Sequence, residues 1–394
     1  MAIDFGKRMG MGGLRLPVKD PMNPMSIDME QLKKNVDYFM EHGFNYFDTA
    51  YIYHGELSEG AYGEAVVDRY PRDSFLLSTK MPVKQMNSAD QMEPIFEEQL
   101  RRCHVDYFDF YLVHCVSRDT YERCKKWGVF EFLKKKREEG KFREFGVSLH
   151  DSPEFLEEIL TEHPEIDFVM EQINYLDWTN PSIRSKEVYE MAMKYNKPVV
   201  VMESCKGGTL ANLPDEAVKL MKDYNPDASI ASWAYRFVGS LPGVRVCLCG
   251  MPTEEFLKDD VATFENFKPL NDEEYKILDK VVEIVNAKTP IPCTQCRYCE
   301  PKCPKKIAIP DYFALYNDLK RLPADEVMTQ AMYYGALIEQ GHGPASACVD
   351  CKSCEKQCPQ HLEITEYLKW VVKDIEQYDP MAQIEKMKAA AKEE

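Results

Sequence analysis

Apolar residues follow two rhythms along the first 250 or so positions of the chain. Short runs such as Phe75-Leu76-Leu77-Ser78-Thr79-Lys80 and Pro198-Val199-Val200-Val201-Met202 read as buried strands. Between them lie stretches whose apolar positions fall three and four apart, as in Leu32, Val36, Phe39 and Met40, which predict helices with one buried face. In order, the pattern predicts strands over 9–13, 44–47, 75–80, 108–113, 142–147, 168–170, 198–202 and 244–248. Helices are predicted over 28–42, 58–69, 90–103, 121–139, 152–162, 182–195 and 226–238.

Strands that alternate with helices form a parallel sheet. Eight such units in about 280 residues are the size of a closed (β/α)8 TIM barrel. The rival, an open doubly wound sheet, carries a Gly-rich turn of fixed spacing after its first strand. Met9-Gly10-Met11-Gly12-Gly13 has glycines without that spacing, so a barrel over 1–285 is expected. Residues 286–292 read as a linker, and 293–394 as a small, mainly helical second domain. Helical spacing recurs there over 310–320, 324–339, 363–377 and 381–393.

Composition sharpens this division. Eight of the fourteen cysteines lie in two runs after position 290. A chain of 394 residues with 44% apolar and 29% charged residues is globular, and its net charge of −17 argues against a nucleic-acid partner. No apolar run approaches the ~18 residues of a membrane span, and the first residues lack a signal-peptide core, so a cytoplasmic protein is expected.

The barrel prediction directs attention to the C-terminal ends of its strands, where catalytic groups sit. Polar residues there are Asp48, Lys80, His114 and Ser148, spaced by 32, 34 and 34 residues, one βα unit each. Tyr53 follows Asp48 in the first loop. Singly, each has a plainer reading: a turn-capping Asp, a packed Tyr, a solvated Lys, a core His. Their common phase favours a shared site. An ammonium beside a phenol favours tyrosinate, and a carboxylate holds the ammonium in place. Tyr53 is thereby expected to have a lowered pKa and to protonate a carbonyl oxygen that His114 orients.

In the second domain, Cys293-x2-Cys296-x2-Cys299-x3-Cys303-Pro304 and Cys348-x2-Cys351-x2-Cys354-x3-Cys358-Pro359 repeat the spacing of a bacterial ferredoxin. Three close thiolates wrap one [4Fe-4S] cube and the Cys before Pro serves the other. The expected ligand sets are Cys293, Cys296, Cys299 and Cys358 for one cluster, and Cys348, Cys351, Cys354 and Cys303 for the second. Zinc sites use paired Cys-x2-Cys instead. Lys302, Lys305 and Lys306 make a short basic group beside the first run, which reads as a solvated loop or as a dock for an acidic carrier such as a ferredoxin or flavodoxin.

The stretches Phe47-Asp48-Thr49-Ala50-Tyr51-Ile52-Tyr53, Ser58-Glu59, Ser78-Thr79-Lys80, Leu112-Val113-His114 and Gly146-Val147-Ser148 resemble the aldo-keto reductase family over roughly residues 5–285. The whole chain resembles the subgroup with a C-terminal ferredoxin-type domain. The resemblance implies Tyr53 as general acid, Lys80 and Asp48 as its tuners, and His114 as the group that orients a carbonyl substrate. It also implies NAD(P)H contacts at Ser148 and Gln172, with Gly12 and Gly250 beside them.

Several residues depart from the family at the nucleotide. Leu149 follows Ser148 where Asn is common, and Met202 stands for a stacking aromatic. The loop 250–260 offers Phe256 and Asp260 for the family's Arg and Asn, with Glu254, Glu255 and Asp259 beside them and Lys258 the one cation. Such a loop disfavours the 2′-phosphate of NADP and suits ribose hydroxyls. Electrons then have several possible sources: a nicotinamide, a flavin or the clusters themselves. The expected function is an iron–sulfur oxidoreductase acting on a carbonyl or alcohol. The alternative is an electron-transfer adaptor whose barrel is a docking scaffold.

Overall fold

The computed structural model describes residues 7–20, 23–149, 151–180, 183–287, 289–293, 297, 299–321, 327–358 and 360–378. The chain forms two compact units, one of residues 1–179, 183–205 and 231–270, the other of 180–182, 206–230 and 271–394.

In the first unit, eight parallel strands close a barrel in sequence order. They are β1 (Met9–Gly12), β2 (Tyr46–Asp48), β3 (Leu76–Met81), β4 (Phe108–Val116), β5 (Phe142–Leu149), β6 (Phe168–Gln172), β7 (Val199–Met202) and β8 (Val244–Cys249). Closure comes from β1, which pairs with β2 through Gly12 and Asp48 and with β8 through Met11 and Cys249. Inward positions of alternate register fill the interior: Tyr46, Leu76, Phe110, Leu112, Phe168, Met170, Val200 and Val246. A Cβ on Gly10 would lie 2.7 Å from the Tyr46 ring and 2.8 Å from Val246. The glycine in β1 therefore answers to large side chains that fill the barrel beside it.

Around the barrel lie α1 (Met29–Glu41), α2 (Ser58–Tyr62), α3 (Met92–Arg102), α4 (Arg118–Trp127), α5 (Val129–Glu138), α6 (Pro153–Glu162) and α7 (Ser185–Lys194). The single helix expected over 121–139 is two, because Gly128 at φ 67 ends α4 in the left-handed conformation. The helix expected over 58–69 continues past Tyr62 only as a π turn, Gly63–Val67.

Three helices fell outside the expected set, over 215–224, 254–265 and 272–286. α8 (Asp215–Tyr224) buries Ala217 and Met221 on one face and precedes α9 (Ile230–Ser240). The stretch expected to be a loop at 250–260 contains the start of α10 (Glu254–Glu265), whose first free N–H groups are capped by Thr253, Oγ1 accepting from Phe256 N.

The second unit contains α8 and α11 (Asp272–Asn286), together with α12 (Ile309–Arg321), α13 (Val327–Glu339) and α14 (Ile364–Val371). Its core gathers Ile291, Ile307, Tyr312, Phe313, Leu368 and Val371 with the cysteine loops packed against them. Within this unit the chain that leaves β7 is held by a buried pair, Lys206 Nζ to Asp318 Oδ2 at 3.7 Å. The helix expected over 381–393 lies outside the described residues, as do 324–326 at the start of the helix expected over 324–339. Among the described residues, no helix is long and apolar enough to cross a membrane.

Candidate active site and cluster cavities

Asp48 is the last residue of β2 and Lys80 lies one residue from the end of β3. Lys80 is fully buried, and its Nζ donates to Asp48 Oδ2 at 2.7 Å and to the Thr49 carbonyl at 2.6 Å. A dry ion pair persists only when its remaining bonding capacity is met. Burial pushes the Asp48 carboxyl up, while the Lys80 ammonium and the Ser78 hydroxyl pull it back down.

Behind the pair runs a layer that the strand-end pattern did not single out. Gln99 Nε2 donates to the Lys80 carbonyl at 3.0 Å and to Glu59 Oε1 at 2.7 Å, and Tyr111 Oη donates to Gln99 Oε1 at 2.5 Å. Glu59 Oε1 also accepts from Thr79 Oγ1 at 2.7 Å. The signal was present: Gln99 is a polar residue on the otherwise apolar face of α3, beside Phe96 and Leu100.

Tyr53 opens a short 3-10 turn, Tyr53–Glu56, in which His54 and Gly55 take left-handed angles of φ 52 and 64. The turn is anchored by His54, whose Nε2 accepts from Leu16 N at 3.1 Å while Nδ1 bonds the Pro24 carbonyl. With Nε2 an acceptor, Nδ1 carries the proton. Burial lowers the His54 pKa and keeps this ring neutral.

The half-buried Tyr53 ring stands edge-on to His114, centroids 5.8 Å apart, and Lys80 Nζ lies 5.0 Å from the Tyr53 centroid. His114 is on β4, where the pairing with β5 slips between Val113 and Val116 and Cys115 takes φ 47. Such a bulge re-aims side chains at a strand end. The barrel rim thus brings Asp48, Tyr53, Lys80 and His114 together.

The electrostatics of Tyr53 differ from expectation. Burial pushes its phenol well above the ordinary value, with Asp48, Cys115 and Glu203 adding to the rise and Arg15 opposing it. Both short bonds of the Lys80 ammonium go to Asp48 and Thr49. The raised value favours the neutral phenol at Tyr53.

The residues expected at a nucleotide are placed as follows. Ser148 is buried on β5 with Leu149 next to it. Gln172 ends β6, its Nε2 donating to Asp177 Oδ2 at 2.6 Å, a carboxylate that also accepts from Asn174 Nδ2 at 2.8 Å. Met202 ends β7 and is half-buried.

The next residue, Glu203, has φ 57 and stands 3.6 Å from the Arg15 guanidinium. Gly250 gives Arg15 room: a Cβ there would meet Arg15 Cβ at 3.2 Å, as one on Gly12 would meet the Cys249 carbonyl at 3.3 Å. On α10, Lys258 pairs with Glu254 at 2.5 Å, and Phe256 is exposed. Asp260, at the position of the family's Asn, is buried, its carboxyl raised by burial and then by Asp259 and Cys247.

In the second unit, Cys293, Cys299 and Cys358 line a cavity with Arg297, Ile309 and Phe313. Cys303, Cys348, Cys351 and Cys354 line another with Lys302, Lys305 and Ile307. Cys296 lies outside the described residues. Hollows walled by thiols and apolar side chains fit soft, thiolate-ligated iron–sulfur groups.

Comparison with known proteins agrees with both units. Residues 292–363 match the 4Fe-4S dicluster domain. An uncharacterized oxidoreductase, YqkF of Bacillus subtilis, is 25% identical over 281 residues, 64% of this chain and 89% of that protein. A Mycobacterium sp. (strain MCS) aldo-keto reductase is 26% identical over 42% of this chain and 54% of its own length. The chain thus spans about half the length of that relative, and 49% of the Bacillus subtilis glyoxal reductase, at 29% identity over 38% of this chain.

Among solved structures, the aldo-keto reductase AKR11C1 of Bacillus halodurans superposes with a TM-score of 0.55 at 23% identity over 70% of this chain and 91% of its own. One from Klebsiella pneumoniae in complex with NADPH gives 0.56 at 20% over 70% and 90%; likenesses at this identity speak to the fold. Residues 8–283 match the Aldo/keto reductase family, and the chain belongs to that family.

Proposed function

We propose that the protein is an iron–sulfur oxidoreductase that reduces a small carbonyl compound, or runs the reverse oxidation, with Tyr53 as proton donor and two [4Fe-4S] clusters as electron carriers. The observation that carries this reading is the neutral Tyr53 phenol at the barrel rim, edge-on to His114 and beside a buried Lys80–Asp48 pair. Reduction of one C=O takes two electrons and two protons. A nicotinamide would bring the electron pair and the hydrogen for carbon together as hydride, whereas electrons from clusters would need a proton from solvent at carbon. Tyr53 gives one proton to the oxygen as negative charge develops there, and His114 orients that oxygen. Lys80 and Asp48 act as positioning residues that fix the electrostatics beneath the phenol.

When bound, the clusters supply electrons one at a time, and two clusters hold the pair that one reduction needs. The grouping of Cys303 with Cys348, Cys351 and Cys354, and of Cys358 with Cys293 and Cys299, supports crossed ligation, with Cys296 completing the first set. A nicotinamide remains the other electron source, with Ser148 and Gln172 as contacts. Glu203, Glu254 and Glu255 disfavour phosphate nearby, and the reading therefore assigns no NADP specificity. The electron partner is a ferredoxin or flavodoxin. The adaptor alternative is weaker, because a scaffold needs no buried ion pair beneath a neutral phenol.

The test is Tyr53→Phe in anaerobically purified protein. Turnover of a carbonyl substrate is expected to fall by roughly 10²–10⁴-fold, with cluster absorbance unchanged. Undiminished turnover would remove Tyr53 from the chemistry.

A further inference from the structure

We propose that an acidic one-electron carrier protein docks on the lysine-rimmed mouth of the second cavity, and that electrons enter through the cluster held by Cys303, Cys348, Cys351 and Cys354. This rests on the redox reading of the clusters given above.

The two cavities differ. Beside the first stands Arg297, whose guanidinium is taken up by Asp311 at 2.6 Å and Glu300 at 2.9 Å. The second is walled by Lys302 and Lys305, with Lys306 next to them. All three lysines are exposed, and none is paired with a carboxylate among the described residues. They concentrate positive charge in a chain with 66 acidic against 49 basic residues.

In the second cysteine run, Lys352 and Lys356 are also exposed, Lys352 standing 4.0 Å from Glu355. Residues 302–306 and 348–358 together carry five lysines against Asp350 and Glu355. Inside this basic rim lies an apolar and redox-active centre. Val349 is 56% exposed and lines the cavity, and Cys351 is the one exposed cysteine among those described. A cluster held by the exposed Cys351 would have one of its ligands at the surface.

A basic rim around an exposed apolar residue selects a partner with the opposite charge. In a protein of net charge −17, an acidic carrier is repelled from the surface at large and attracted only here, which sets orientation as well as rate. Each encounter moves one electron: the carrier is oxidised by one and the cluster reduced by one, and two encounters load the protein for one carbonyl reduction.

The test measures cluster reduction by stopped flow in the holoprotein, using a purified, photoreduced acidic two-cluster ferredoxin. Methyl viologen radical, a small cation, serves as the control reductant. The triple variant Lys302→Glu, Lys305→Glu, Lys306→Glu is expected to lower the ferredoxin rate constant by about tenfold or more at low salt. The Lys→Gln triple variant should fall between it and the native protein. The difference should vanish near 1 M salt, where the screening length is ~3 Å. Methyl viologen should reduce all three proteins at least as fast as the native one.

A ferredoxin rate indifferent to the substitutions or to salt overturns the docking site. So does an equal slowing with methyl viologen, which would make the lysines part of the cluster environment. Clusters that methyl viologen cannot reduce even in the native protein would overturn the redox reading itself.

Discussion

Replacing Lys80 by Met tests the physical basis of the rim. The substitution keeps an unbranched side chain of similar length and removes the ammonium 2.7 Å from Asp48 Oδ2. Asp48 is 2% exposed, so its carboxylate would be left charged in a dry site or forced to take a proton. Protonation sets the ceiling of the cost. For a carboxyl whose ordinary value is 3.8, at ~1.36 kcal/mol per pH unit, it is about 4.4 kcal/mol at pH 7 and about 1.6 kcal/mol at pH 5.

The sign follows from linkage. In the variant the folded-state pKa of Asp48 lies above the unfolded one, so stability is lost as pH rises from the ordinary value. At about 2 °C per kcal/mol for a domain of this size, melting followed by circular dichroism should fall by about 9 °C at pH 7 and about 3 °C at pH 5. The double variant Asp48→Asn, Lys80→Met removes both charges and should recover most of the loss. Equal destabilisation at the two pH values, or a double variant no better than the single one, would refute the account of Asp48 as a carboxylate held by Lys80.

Three further outcomes follow from the same geometry. Because burial and Asp48 raise the Tyr53 phenol, carbonyl reduction should hold its rate up to the ordinary tyrosine value near ~10, and decline of this step in the neutral range would contradict a neutral donor. Cys358→Ala should abolish the cluster of Cys293 and Cys299 while sparing the one of Cys348, Cys351 and Cys354, with Cys303→Ala doing the reverse; iron counting and electron paramagnetic resonance would expose an uncrossed arrangement. On the outer side of β6, Glu171 is buried with neither carboxylate oxygen bonded, and burial raises its pKa well above 4.5. Its proton is kept on folding and lost on unfolding, so stability drops as pH rises above that value. Glu171→Met should accordingly raise the melting temperature at pH 7 more than at pH 5, by up to about 3 kcal/mol, and a lower melting temperature at pH 7 would refute the idea.

Much of this protein could be read from residue order alone. The period of apolar residues fixed the eight strands and most of the helices between them, since a parallel strand buried on both faces must be a continuous apolar run. The one-unit phase of Asp48, Lys80 and His114 followed, because each strand presents its last polar residue to the same rim. The spacing of the cysteines marked the cluster domain, since a cube of fixed size dictates the loop lengths around it.

Other features exist only after folding. α8 and the start of α10 carry few buried residues, so their helical state owes more to what they pack against than to a wide apolar face. Gly128 splits one expected helix through its backbone angle, which composition does not encode. The raised pKa of Tyr53 depended on its burial and on the charges near it, while the Lys80 ammonium came to rest bonded to Asp48 and Thr49. Spacing determines which groups meet, while desolvation and competing hydrogen bonds depend on every atom packed around them. The charge state of the site was therefore decided by the tertiary structure.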